Sequence, residues 1–253
     1  MSGLSARSLG PLPEIRTGDD LAALIAAASR GDLHDGQVVA IAHKAVSKSE
    51  GAIVALAEVS PSQRARALAA EQGKDPRAVQ VVLDQSREIV RAAHGVLICR
   101  THHGFVCANA GVDASNASAE EDGEKLIVLP RDPDASARGL RARLRELTGA
   151  RVGVLISDSF GRAWRHGQCD VTIGCAGFQP LEDWRGRTDS VGMELRATWI
   201  AVADAAAATA DLVRAKDSRE PVVILDGLER FVTDEDGPGA VALLRPLEED
   251  LFR

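Results

Sequence analysis

No apolar run in this chain approaches the ~20 residues that a membrane-spanning helix needs, and the N-terminus lacks the charged-then-apolar pattern of a secretory leader. A cytoplasmic protein is the expectation. An excess of positive charge is also missing: 30 Lys and Arg against 37 Asp and Glu give a net charge of −7. The basic footprint of a non-specific nucleic-acid binder is therefore absent. The four cysteines, at 99, 107, 169 and 175, fall in apolar strand-like runs with no C-x-x-C spacing, which reads as buried reduced thiols. The absence of G-x-x-x-x-G-K-S/T excludes a P-loop, and no G-x-G-x-x-G follows a strand, so a dinucleotide Rossmann fold has no support. A G-x-S-x-G elbow is missing as well, as is any Ser/His/Asp or Cys/His constellation. There is no internal repeat and no low-complexity linker.

What is present is an ordinary globular composition, 45% apolar and 26% charged, over 253 residues, enough for one large domain or two small ones. The chemistry concentrates in Gly104-Phe-Val-Cys-Ala-Asn109-Ala-Gly111-Val-Asp113-Ala-Ser115-Asn116. There an apolar run gives way to a crowd of oxygen-bearing side chains, a place to hold a hard cation or a phosphate. A second stretch, Val152-Gly-Val-Leu-Ile-Ser-Asp158-Ser159-Phe-Gly161-Arg162, ends a strand pattern the same way. If the fold joins the two strand ends, Asp113 and Asp158 form a two-carboxylate site for Mg²⁺ or Mn²⁺, metals that take carboxylate, hydroxyl, water and phosphate oxygens.

In chain order, residues 11–15 read as extended because of Pro11 and Pro13, and a helix capped near Asp20 runs from Leu21 toward Gly31. A buried strand covers 37–42. It runs into His43-Lys44-Ala-Val-Ser-Lys48-Ser-Glu-Gly51, read as a turn at a strand end, with Lys48 a phosphate ligand. Ser60-Pro61 opens a helix to Gln72, Asp75-Pro76 opens another to Arg91, and 96–100 is a strand. His102 and His103 are adjacent on extended chain and point apart, which argues against a zinc pair. Glu120, Glu121, Asp122 and Glu124 make a solvated acidic face, 125–129 is a strand, and Asp132-Pro133 starts a helix whose arginines at 138, 141, 143 and 145 solvate it. Arg162 and Arg165, close to Asp158, point to an anionic substrate. Residues 169–176 form a strand, 177–189 a loop, 191–214 a long Ala-rich helix with a structural Asp204, and 221–225 the last strand.

These stretches resemble the coenzyme F420-0:L-glutamate ligase family. The likeness spans nearly the whole chain: residues 12–21, Val46-Ser-Lys-Ser-Glu-Gly51, His103 through Asn116, Ile156-Ser-Asp-Ser-Phe-Gly-Arg162 and residues 245–253. The resemblance implies GTP-dependent addition of γ-linked L-glutamate to coenzyme F420-0 or its dehydro form through an acyl phosphate. It assigns Asp113 and Asp158 to divalent Mg²⁺ or Mn²⁺, two ions in all with K⁺ a further candidate, and Ser159 to the second metal. It assigns Leu12, Pro13, Glu14, Ile15, Lys48 and Asn116 to the nucleotide, with backbone contacts at His43. His43 and Lys44 stand where relatives usually carry Ser or Thr, and Asp226 where relatives more often have Arg. The nitroreductase-like domain that follows in actinobacterial relatives is not expected here, nor is a flavin-dependent activity. The fold expected is α+β (mixed α/β), with mixed and antiparallel sheets, neither Rossmann nor P-loop. One unit, residues 1–253, is expected to comprise two intimately packed subdomains and to pair into an intertwined homodimer. Two other readings stay open: a nucleotide- or deazaflavin-binding protein without catalysis, and a related amide-forming ligase acting on another carboxylate.

Overall fold

The computed structural model describes residues 3–113 and 123–250. The elements are β1 (Ser5–Ser8), α1 (Leu21–Ser29), β2 (Val38–Ala42), α2 (His43–Ser49), β3 (Ile53–Ala55), α3 (Gln63–Gln72), α4 (Pro76–Asp84), β4 (Ser86–Ala93), β5 (Val96–Thr101) and β6 (Val106–Ala108). There follow β7 (Lys125–Ile127), α5 (Pro133–Thr148), β8 (Gly153–Arg162), β9 (Arg165–Ala176), β10 (Leu181–Asp183), β11 (Trp199–Ala201), α6 (Val202–Asp211) and β12 (Val222–Asp226).

A five-stranded sheet in the order β1-β12-β2-β8-β9 organises the fold, and within it only β2 and β8 run parallel. This is the expected α+β arrangement with mixed and antiparallel sheets. Strands buried on both faces need continuous apolar runs, and β2, β8 and β12 supply them. On one face Val39, Ile41, Val154, Ile156, Val222 and Ile224 pack against Ile25 of α1 and Ala137 and Leu144 of α5. On the other, Val38, Ala40, Leu155, Val223 and Leu225 meet Ala203, Ala206 and Ala210 of α6, whose small side chains let the helix lie close to the sheet. Full burial of such an aliphatic side chain contributes about 1.5–3 kcal/mol. Residues 63–108 build a separate layer, the sheet β4-β5-β6 with α3 and α4, around Ala65, Ala69, Val79, Val82, Leu97 and Cys99.

Local signals account for most boundaries. Asp20, Asp75 and Asp132 cap α1, α4 and α5 by accepting backbone N–H bonds, and prolines occupy the first turn of α4 and α5. Several expectations change, and the loop expected over 177–189 contains β10. Residues 43–49 are helical, because β2 passes directly into α2. The cap of α3 is Ser62, whose Oγ accepts from the Ala65 N–H, so Pro61 lies outside the helix. The helix expected to reach Arg91 stops at Asp84: residues 86–93 pair with β5 across His94-Gly95, both at positive φ as a two-residue hairpin turn demands. The helix expected over 191–214 is confined to α6, since Trp199 and Ile200 pair as β11 with β10. Arg141 is also buried rather than solvating α5, and it donates to the carbonyls of Val152, Thr233 and Asp234. The cysteines are free thiols, three of them buried. Among the described residues no helix is long and apolar enough to cross a membrane.

Candidate active site

Because β2 and β8 are parallel, their carboxyl ends share one edge of the central sheet, the edge where ligands of such sheets bind. The antiparallel neighbours deliver two more segments there. Leu9 N–H donates to Val222 O, Leu12 N–H to Arg219 O and Ala42 N–H to Pro221 O, at 3.1, 3.1 and 2.8 Å. The exit of β1, the start of α2, the end of β8 and the segment 212–221 therefore meet.

The central stretch reaches this edge through an unusual turn. Asn109, Ala110 and Gly111 all have φ between 50° and 71°. Asn and Gly tolerate this left-handed region, whereas Ala110 carries a cost of about 1–2 kcal/mol. The turn redirects the chain so that Asp113 pairs with Ile127, its N–H and C=O both bonded there. Phe105 packs edge-on against Phe160, two residues past Asp158, with ring centroids 6.3 Å apart. The two strand ends do come together.

At the junction each carboxylate has a basic neighbour from α2. Lys44 Nζ lies 2.6 Å from Asp113 Oδ2, and His43 Nε2 lies 3.2 Å from Asp158 Oδ1. The histidine contact is not aligned as a hydrogen bond, so this buried ring nitrogen has no hydrogen-bond partner. Burial pushes the Asp158 carboxyl up, but His43, the Ser159 N–H and Lys44 together outweigh it and hold the group below the ordinary carboxylate range. Lys44 thus acts on both acids.

Strand alternation sends Ser159 to the other side of β8 from Asp158. Its Oγ donates to Asp170 Oδ1 at 2.6 Å and accepts from Lys216 Nζ at 2.8 Å. Asp170 also accepts from Ser157 Oγ at 2.7 Å and from Arg214. Burial pulls the Arg214 guanidinium down while Asp170 and Asp211 push it up. Leu12 and Ile15 are buried, Pro13 and Glu14 exposed, and Glu14 Oε1 pairs with Lys48 Nζ at 2.6 Å, joining the early segment to α2. Asn116 lies outside the described residues. A cavity of about 360 Å³ beside α5, lined by Arg141, Arg145, Glu146 and Asp236, lies at the opposite end of β8. So does Asp226, which accepts from Gln37 Nε2 at 2.7 Å.

Residues 10–227 match the family described as F420-0:Gamma-glutamyl ligase. A coenzyme F420:L-glutamate ligase of Methanopyrus kandleri is 46% identical over 258 residues, covering 100% of both chains. Its namesake in Methanothermobacter thermautotrophicus is 44% identical over 255 residues, covering 99% of each, and that of Methanocaldococcus jannaschii 43% over 222, covering 87% of this chain and 86% of the relative. The chain belongs to the F420-0:gamma-glutamyl ligase family.

For a chain of this family the donor set matters. Among the described residues no three His, Cys, Asp or Glu side chains converge to hold a metal ion. Asp113 and Asp158 offer carboxylate oxygens, the donors a hard divalent ion takes, with water and phosphate oxygens needed for the rest. His102 and His103 face different backbone carbonyls, those of Asp84 and Pro130, each at 2.9 Å. Sequence reading missed Asp170, Arg214 and Lys216. A signal existed for the first: an acid inside the apolar run 169–176 requires a buried partner.

Proposed function

We propose that this chain joins L-glutamate to coenzyme F420-0, or its dehydro form, through a γ-glutamyl amide at the expense of GTP. The observation that carries the reading is the convergence of Asp113 and Asp158 on Lys44 and His43 of α2, in a chain of this family. The acids are the reading's ligands for Mg²⁺ or Mn²⁺, which when bound draws charge from the phosphate oxygens. Ser159 and K⁺ belong to the same proposal, as does a homodimer.

A carboxylate and an amine do not condense in water without activation. In the proposed reaction a carboxylate oxygen of the acceptor attacks the γ-phosphorus, and the bond to GDP breaks. The α-amine of glutamate then attacks the acyl carbon, phosphate leaves, and the amine gives up a proton. The protein's part is positioning and charge neutralisation. Lys44, Lys48 and Lys216 balance phosphate charge, Leu12 and Ile15 wall the site, and the 109–111 turn fixes Asp113. None of these steps requires a nucleophilic side chain, in keeping with the sequence.

The test is a mass spectrum of the deazaflavin acceptor after incubation with the protein, L-glutamate, GTP and Mn²⁺, beside an EDTA control. Glutamyl mass increments with GDP release, abolished by EDTA, are expected. No increment while GTP or the acceptor still binds would favour a binding protein.

A further inference from the structure

The side of β8 away from Asp158 carries a charge network centred on Asp170, a residue with no role in the scheme so far. Asp170 stands opposite Ser159 in the β8–β9 register, and its side chain is only 4% exposed. One carboxylate oxygen takes the Ser159 hydroxyl, the other the Ser157 hydroxyl and Arg214. Arg214, 7% exposed, also donates to Ser157 Oγ at 2.9 Å and to Pro221 O at 3.2 Å. Lys216 meets both Ser159 and Asp211, at 2.8 and 2.9 Å.

One buried acid thus ties the strand that bears Asp158 to both ends of the segment 212–221. That segment in turn holds Leu12 through Arg219. Buried ion pairs yield little net stability, because desolvation offsets attraction, so this network calls for a role other than stability, and its contacts point to holding one arrangement of its partners. We infer that Asp170 is a positioning residue that orients Ser159 and, through Arg214, the course of 212–221, so that Lys216 faces the phosphate end of the nucleotide. The coupling rests on contacts alone; the identity of the ligand rests on the ligase reading above.

The first readout needs no activity. Asp170→Asn keeps the shape and removes the charge, leaving Arg214 buried and unbalanced, so the double variant Asp170→Asn/Arg214→Gln is made beside it as the one that loses both charges. Amide hydrogen exchange across 212–221 is expected to quicken about tenfold or more in whichever of these folds, with β2 and β12 still protected. Unchanged protection of 212–221 overturns the inference.

The second readout is kinetic. In the same variants the KM for GTP is expected to rise about tenfold, with the KM for L-glutamate within about twofold of wild type. Equal rises in both, or a fall in kcat alone, contradict a role at the nucleotide end. Should the wild type make no glutamylated product, the ligase reading fails by itself, and the exchange experiment still decides the coupling.

Discussion

Lys44 Nζ and Asp113 Oδ2 are 2.6 Å apart, with the lysine side chain 25% and the acid 39% exposed. A divalent ion proposed at Asp113 is expected to compete with this ammonium for the carboxylate. Partly exposed pairs of this kind contribute about 1 kcal/mol or less. Lys44→Met is therefore expected to tighten Mn²⁺ binding without nucleotide by about fivefold, read by electron paramagnetic resonance of free Mn²⁺, while lowering turnover with GTP. Weaker Mn²⁺ binding in the variant would show that the amine and the metal do not compete.

Asp113→Asn keeps the residue's size and its backbone pairing with Ile127 but withdraws the charge. Turnover is expected to fall about 100-fold or more, with the thermal midpoint within a few degrees of wild type because the carboxylate is not in the core. Unchanged kcat would remove Asp113 from the machinery.

Gly111 has φ +71°, and a Cβ there would meet Leu129 Cγ at 2.7 Å. Gly111→Ala is expected to cost about 1–3 kcal/mol and, by shifting the turn that delivers Asp113, to lower activity beyond what instability explains. Denaturant unfolding and single-turnover rates separate the two. A variant as stable and active as wild type contradicts the account of this turn.

Asp204 on α6 has its carboxyl raised by burial, against the opposing bond from the Thr172 N–H. The folded protein thus keeps a proton that the unfolded chain has already released. Stability falls as pH climbs from the ordinary carboxylate range through the raised value, and stays lower above it. Asp204→Asn retains an acceptor for Thr172 and has no charge to bury. It is expected to unfold at higher temperature than wild type near neutral pH, with the difference vanishing below the ordinary carboxylate range. A gap that is the same at both pH values would contradict the shift.

The local chemistry of the sequence marked most helix caps and the buried strands well. Pro76 and Pro133 announced two helix starts, and the run over 37–42 announced a strand buried on both faces. The acids of the site were legible because each ends an apolar run, and the fold brings both to one edge. What escaped were features set by pairing. Residues 86–93 are amphipathic enough for either helix or strand until β5 is present to bond them. The Ala-rich stretch over 191–214 hid a strand whose partner lies at 181–183. Asp170 was passed over because its partners, Ser157, Ser159 and Arg214, are 13, 11 and 44 residues away.

The central claim, that this chain activates a carboxylate by phosphorylation, is tested most directly with an F420-0 acceptor carrying ¹⁸O in its terminal carboxylate, incubated with GTP, L-glutamate and Mn²⁺. An acyl phosphate requires one labelled oxygen to leave in the released phosphate for each amide bond formed. Labelled phosphate in step with glutamyl mass gain is the predicted result. Unlabelled phosphate, or GTP hydrolysis with no mass gain, would contradict it.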